Sequence, residues 1–189
     1  MKCLLIIFVA VLLLVAAAGA VVWSGFYDVS ARLPHRRATL WFLETLRNRS
    51  ISEHSKTVRV PLPTGRTLTE VGLRHYHPMC RLCHGAPGYP REEFAEGLYP
   101  SPPDLRSDEV QDWQDAALYW IVDNGLKMTG MPAFGVTHSK EEMWGIVAFL
   151  RLLPKLKPSD YSALLKEAEM PEEKDMHHSG EEEHPSGRR

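Results

Sequence analysis

The stretch that decides the fold is Cys80-Arg81-Leu82-Cys83-His84. Side chains three and four residues apart on a helix share a face, so Cys80 and Cys83 can both reach one edge of a flat macrocycle. Two thiols at this spacing can form thioether bonds to the two vinyl groups of haem, and His84 follows closely enough to bind the iron. The C-x-x-C-H string therefore predicts a covalently attached c-type haem.

Two other interpretations of the cysteine pair need partners that the sequence does not supply. A structural zinc site needs four ligands, commonly from two Cys or His pairs, and the chain has three cysteines in all. A thioredoxin-like redox pair needs a preceding strand in a βαβ setting, and residues 67–154 contain no convincing strand pattern. The third cysteine, Cys3, lies at the edge of an apolar block, so the cysteine pattern is not that of a disulfide framework.

A loop downstream of this motif offers a second iron ligand. Residues 124–134 read Asn-Gly-Leu-Lys-Met-Thr-Gly-Met-Pro-Ala-Phe, and Gly130 with Pro132 predicts a loop after a helix. Haems that transfer electrons usually carry Met or His on the far side of the ring. Met128 and Met131 are both candidates for that position.

Four other side chains are weaker candidates for the iron. His75 and His77 precede the cysteine pair on a rigid helix, and Met79 abuts Cys80, which places it badly for the far side of a ring. His138 follows the methionine loop. We expect none of these four to bind the iron.

Residues 67–154 resemble class I cytochrome c, and especially the small membrane-anchored or periplasmic monohaem cytochromes of bacteria. The C-x-x-C-H string and the Met-Pro-Ala-Phe sequence at 131–134 carry this resemblance. It implies an all-α domain around one covalent haem c, with His84 as the proximal iron ligand and Met131, not Met128, as the distal ligand. It also implies an electron carrier and not an enzyme.

The same resemblance implies that the first and last helices of the domain cross at Gly72 and Tyr76. Two capping boxes are predicted to open these helices: Thr67 with Glu70, and Ser139 with Glu142. The last helix then presents a predicted core face before Pro154: Met143, Ile146, Val147, Phe149 and Leu150.

A further helix is predicted over residues 112–124. The resemblance implies that Trp120 or Tyr119 touches the haem or its propionates, and plain core packing is the alternative. The expected hydrophobic shell consists of Leu118, Trp120, Phe134 and Phe149. Such a shell excludes water and, like Met/His ligation, raises the reduction potential.

Three functions are compatible with this site. An iron with both axial positions filled suits single-electron transfer at the periplasmic face of a membrane, with redox partner proteins as donor and acceptor. A labile Met131 would instead allow a small-ligand sensor or peroxidase. The third function is that of a haem subunit in a larger respiratory or dehydrogenase complex, because a basic segment with Trp41 and Phe42 precedes the domain.

The N-terminal residues 1–23 predict a transmembrane anchor. The apolar run from Cys3 to Trp23 has no charge, and at about 1.5 Å per residue it spans about 30 Å, the thickness of a bilayer core. A cleaved signal peptide is the alternative, because Ala18-Gly19-Ala20 fits a cleavage site. Arginines after the run favour a cytoplasmic domain. Haem attachment favours the opposite side, and we expect a bacterial inner-membrane protein with its cytochrome domain in the periplasm.

The remaining segments flank the domain. Residues 24–66 are predicted to form a juxtamembrane helix, over 35–50 with Leu40, Leu43 and Leu46 on its apolar face, and then a linker. Residues 155–189 are predicted to be an acidic, His-containing tail, with one short helix over 161–169 and disorder after it. The net charge of −2 gives no reason to expect nucleic-acid binding. One acidic cluster, which we expect to be solvated surface, consists of Asp104, Asp108, Glu109, Asp112 and Asp115.

Overall fold

The computed structural model describes residues 2–61 and 66–170, without the side chain of Arg66. Its α-helices are α1 (Lys2–Ser24), α2 (Arg37–His54), α3 (Arg66–His75), α4 (Arg81–His84), α5 (Glu93–Glu96), α6 (Asp108–Gln111), α7 (Asp115–Asn124), α8 (Lys140–Leu152) and α9 (Pro158–Glu167). Within these ranges the only β-type pairing is an isolated bridge between Ala86 and Tyr89. The predicted all-α class is confirmed.

A π-helical turn, Tyr76–Cys80, joins α3 to α4. Pro78 lies inside this turn, and a proline has no N–H to donate to the preceding turn, so the helix widens there and continues. Gly85, with a φ of 72°, ends the helix directly after the C-x-x-C-H string. The helix begins at Arg66, so Thr67 lies in its first turn and not at the cap that the sequence predicted.

Helices α3 and α8 cross at two glycines. A Cβ atom placed on Gly72 would lie 2.0 Å from the carbonyl oxygen of Gly145, which leaves room for a hydrogen atom only. Beside this contact the buried rings of Tyr76 and Phe149 pack with their centroids 5.2 Å apart. The predicted crossing at Gly72 and Tyr76 is confirmed, and the sequence analysis did not identify Gly145 as its partner.

Helix α8 begins as predicted. The Glu142 N–H donates to Ser139 Oγ at 3.3 Å, and the Ser139 N–H donates to Glu142 Oε2 at 2.7 Å, which completes a capping box. The five residues predicted for its core face are all buried: Met143, Ile146, Val147, Phe149 and Leu150. Burial of this face against α3 forms the centre of the domain.

Three other helices differ from their predicted bounds. Helix α2 is predicted over 35–50 and spans Arg37–His54. Helix α7 begins at Asp115, three residues later than predicted, because Gln114 is still extended. Helix α9 begins at Pro158, since proline is favourable in the first turn of a helix. Its Tyr161 and Leu165 are fully buried in the same core as α3 and α8. The predicted disordered tail from residue 171 onward lies outside the described residues.

Helix α2 packs on the domain. Ile51 retains 2 % of its surface, and the His54 ring lies 5.6 Å from the Trp120 ring on α7. The predicted face is only partly right, because Leu46 is exposed while Leu40 and Leu43 are half-buried. An α-helix repeats every 3.6 residues, so residues spaced three apart drift around the helix axis. After two such steps from Leu40, Leu46 no longer lies on the face that packs on the domain. A 3₁₀ turn follows α2, and residues 62–65 of the predicted linker lie outside the described residues.

Helix α1 makes no contact that buries any of its residues. The helix has 23 residues and contains an 18-residue stretch with a mean hydropathy of 3.1, which is sufficient for a membrane span. A signal sequence near an N-terminus has the same length and composition. The helix fits the predicted membrane anchor on these grounds.

Candidate functional site

A cavity of about 310 Å³ lies at the C-terminal end of α4. It brings together the four predicted site residues, since Cys80, Cys83, His84 and Met131 all line it. Most of the remaining wall is apolar and comes from α2, α6, α7, α8 and the loops that flank α6 and follow α7. The apolar side chains of this wall include Ile51, Leu98, Leu105, Val110, Trp113, Leu118, Ile121, Val122, Ile146 and Leu150.

The two thiols of the motif are free and differ in exposure. Cys80 is buried, with 8 % of its surface exposed, and burial raises its pKa to about 12. Cys83 is half-buried, and burial raises its pKa as well. Both groups are therefore protonated thiols at neutral pH, three residues apart on one continuous helix, and both line the cavity.

His84 has a fixed orientation and a fixed tautomer. Its Nδ1 donates to the carbonyl oxygen of Pro103 at 2.8 Å, so Nε2 keeps an unshared electron pair. Burial lowers the pKa of His84, and this effect exceeds the opposing effect of the Pro103 hydrogen bond. A neutral imidazole whose second nitrogen is held by a carbonyl is the usual form of a metal-binding histidine.

The loop after α7 separates its two methionines. Met131 lines the cavity, whereas Met128 has a φ of 59° and 76 % of its surface exposed. Three hydrogen bonds hold the loop: Leu126 N–H to Met131 O at 3.2 Å, Thr129 Oγ1 to Leu126 O at 2.7 Å, and Met131 N–H to Thr129 Oγ1 at 3.0 Å. The Met131 thioether is thus presented by a loop with its own hydrogen-bond network.

Gly125 packs closely against the backbone of this loop. Its φ of 62° is in the left-handed region that glycine adopts without strain. A Cβ atom there would lie 2.6 Å from the carbonyl carbon of Pro132. Glycine is therefore required both by the backbone conformation and by the close approach of the Met131-Pro132 segment.

The three competing histidines have other contacts. His75 lies 3.4 Å from a Glu142 carboxylate oxygen, His77 Nδ1 lies 3.0 Å from the Tyr161 hydroxyl, and His138 Nδ1 lies 2.8 Å from the Thr137 hydroxyl. None of these three histidines lines the cavity. Met79 does line it, one residue before Cys80.

Neither Trp120 nor Tyr119 lines the cavity, which favours the alternative of plain core packing over contact with the macrocycle. Trp120 packs against His54, and the Tyr119 ring stacks on Trp144 at 4.4 Å. The helical repeat explains this, since Leu118, Ile121 and Val122 share the inward face of α7 and leave positions 119 and 120 outside it.

The predicted hydrophobic shell is correct in half of its members. Leu118 and Phe134 line the cavity, whereas Trp120 and Phe149 do not. Two further parts of the wall were not predicted: Trp113, which precedes α7, and the loop Pro100–Pro103 that carries the hydrogen-bond partner of His84. The contribution of α2 was not predicted either, because the sequence contained no signal for it.

A family model described as cytochrome c oxidase, cbb3-type, subunit III matches residues 68–150. The match spans the helix crossing, the C-x-x-C-H string and the methionine loop. The chain carries a class I c-type cytochrome domain. No curated protein matches the chain.

The cytochrome domain implies haem c with iron as its cofactor and electron transfer as its activity. The residues present fit this group. Two thiols, a neutral imidazole with an available nitrogen and a thioether line one apolar cavity, and these are the donors that a c-type haem requires. Cys80 and Cys83 could hold the ring covalently, and His84 and Met131 could hold the iron.

Proposed function

We propose that this protein is a monohaem electron carrier tethered to a membrane. Cys80 and Cys83 form the two thioethers, His84 Nε2 is the proximal iron ligand and Met131 is the distal ligand. The observation that carries the proposal is the meeting of all four side chains in one cavity, with His84 Nδ1 already bonded to the Pro103 carbonyl.

The ligand pair suits electron transfer and not catalysis. When bound, haem c supplies an iron that alternates between its ferrous and ferric states. His84 and Met131 would both hold the iron and leave no coordination position for a substrate, and the apolar walls would exclude water. The hydrogen bonds within the Met131 loop favour a ligand that stays in place during a change of oxidation state.

Helix α1 supports a location at a membrane surface. We place the cytochrome domain at the periplasmic face of a bacterial inner membrane, where c-type haem attachment takes place. A tethered domain remains close to membrane-bound donors and acceptors, which raises their effective concentration. The arginines at 32, 36 and 37 argue for the other orientation, but three charges are a weaker indication than the attachment motif.

A haem-stained denaturing gel of the membrane fraction tests this proposal. We expect a stained band for the natural chain and for Cys3→Ser, because Cys3 lies in α1 and outside the cavity. The double variant Cys80→Ser/Cys83→Ser should lose the stain, because the covalent bonds that survive denaturation are gone. A stained double variant, or a stain confined to the soluble fraction, would contradict the proposal.

A second candidate is a haem subunit of a larger respiratory complex. The matching family model is described as an oxidase subunit. Trp41 and Phe42 are also exposed apolar residues in α2, the helix that begins at Arg37. A third function, that of a small-ligand sensor, needs a Met131 that dissociates, and the hydrogen-bonded loop argues against it.

A further inference from the structure

Helix α2 lies outside the residues that match the family model, and yet it forms part of the cavity. The match covers residues 68–150, whereas Arg47 and Ile51 on α2 both line the cavity. These two residues are four positions apart, so they lie on one face of the helix. Leu40 and Leu43 continue the same inward face.

Arg47 introduces a positive charge into an apolar cavity. Among the described residues that line it, Arg47 is the one permanent cation and Glu109 is the one carboxyl group.

The guanidinium of Arg47 is incompletely paired by the protein. Its Nε donates to the Asn48 side-chain oxygen at 2.9 Å, and within the described residues its two terminal nitrogens have no hydrogen-bond acceptor. The side chain is half-buried. Removing a charged donor from water is costly unless an anion or another acceptor replaces the water. The cavity therefore favours a ligand that carries an anionic group to pair with Arg47.

The chemistry of haem supplies this anion. The macrocycle carries two vinyl groups and two propionate carboxylates, and thioether formation at Cys80 and Cys83 uses the vinyl groups. The propionates are the charged substituents of the ring, and thioether formation leaves them available for pairing. A planar guanidinium pairs with a carboxylate through two parallel hydrogen bonds.

We propose that Arg47 binds a haem propionate, so that α2 is a haem-binding element of this cytochrome and not only a link to the membrane. This inference rests on the proposed haem c site. It gives Ile51 a role as well, because that buried side chain fixes α2 over the cavity and so sets the position of Arg47.

A positive charge at this position affects the iron. It disfavours the ferric state, which carries one more positive charge than the ferrous state, and it compensates the negative propionate. Arg47 therefore raises the midpoint potential. The effect is larger in the cavity than at an exposed position, where water screens the charge.

Redox titration of the full-length holoprotein tests the assignment. Arg47→Gln should lower the midpoint potential and shift the propionate bending bands in the resonance Raman spectrum. Arg49→Gln is the matched control, because Arg49 is an exposed arginine on the same helix and does not line the cavity. It should leave both measurements unchanged. Arg47→Lys should have a midpoint potential close to that of the natural chain, because lysine retains the positive charge. It should still shift the Raman bands, because lysine lacks the paired donors of the guanidinium.

Unchanged Raman bands in Arg47→Gln, or equal shifts in Arg47→Gln and Arg49→Gln, would overturn the assignment. If Arg47→Gln yields no holoprotein, Arg47→Lys decides by the same bands. A haem-stained gel of the natural chain and of each variant separates failure of this assignment from failure of the proposed function. A natural chain without covalent haem would contradict the proposed haem site itself, whereas a stained chain with unchanged Raman bands would contradict only the role of Arg47.

Discussion

At the scale of single residues, two methionines three positions apart have opposite environments. Met131 faces the cavity on a loop fixed by three hydrogen bonds, and Met128 is mostly exposed in a left-handed backbone conformation. The sequence around both residues is similarly rich in glycine. The structure therefore distinguishes the proposed ligand from the surface residue by which of the two lines the cavity.

Replacement of these methionines should have unequal effects. We expect Met131→Ala to abolish the charge-transfer absorption band between methionine sulfur and ferric iron, and to allow carbon monoxide to bind the reduced protein. Met128→Ala should retain the band. The natural chain should resist carbon monoxide, because both axial positions are filled. Rapid carbon monoxide binding by the natural chain would favour the sensor function.

His84 illustrates a second feature at this scale. The sequence identifies it as a ligand, but its Nδ1 partner is a carbonyl oxygen 19 residues later, at Pro103. This carbonyl decides the tautomer and so decides which nitrogen is available to the iron. A backbone carbonyl leaves no signal in the residue type, and for this reason the partner cannot be predicted from the sequence.

At the scale of elements, the crossing of α3 and α8 depends on two backbones in contact. Gly72 faces the carbonyl oxygen of Gly145, and neither helix has a flexible side chain there that can move away. Helix α8 also carries most of the buried side chains beside the crossing. A displacement of one helix therefore disturbs the core and, through α3, the position of the cysteines.

We expect Gly72→Ala to destabilise the holoprotein by at least about 2 kcal/mol, because the added methyl overlaps backbone atoms. Gly97→Ala is the control. A Cβ atom at Gly97 meets its nearest atom, the Phe94 carbonyl oxygen, at 3.5 Å, and the change in stability should stay within about 0.5 kcal/mol. Guanidinium-induced unfolding measures both values, and equal midpoints would contradict the crossing geometry.

Helix α2 shows the limit of sequence patterns at this scale. Its existence follows from its residues, but its apolar side chains occur on several faces, so periodicity does not select the one that packs inward. Trp41 and Phe42 remain exposed, while Arg47 lies at the cavity. Packing against α7 decides the orientation, and α7 is distant in sequence.

At the scale of the whole molecule, surface charge and exposed apolar residues bear on whether the protein is a free electron carrier or a subunit of a larger complex. The predicted acidic cluster is partly used within the chain, because Asp104 pairs with Arg106 and Asp115 pairs with Arg151, each at 2.7 Å. Fewer carboxylates of this cluster are therefore available to a basic partner. The exposed apolar residues of α2 are the stronger indication of a protein or membrane contact.

Extraction in a mild detergent tests the two functions. A free carrier should elute in gel filtration as this chain with its micelle, detected by haem absorbance, and should keep that volume at high salt. A subunit should elute earlier, together with further polypeptides. Replacement of the exposed pair, Trp41→Ser/Phe42→Ser, should then return the haem absorbance to the later volume. An early peak that this variant leaves unchanged would contradict a contact through α2.

The sequence by itself determined the helical class and predicts the attachment site. The spacing of Cys80, Cys83 and His84 is local, and an α-helix converts local spacing into a shared face without help from the rest of the fold. The capping box at Ser139 and the glycine at position 72 are local in the same sense. Their outcomes in the structure agree with the sequence for this reason.

The tertiary structure alone decided which residues surround the motif. The Pro103 carbonyl accepts the hydrogen bond of His84, and the Gly145 backbone contacts Gly72. Arg47 lines the cavity from a helix outside the matched domain. Each of these contacts joins residues far apart in the chain, and each depends on the relative positions of packed helices and loops. The proposed haem site of Cys80 and Cys83 is thus predicted from residue order, whereas its walls and charge follow from packing.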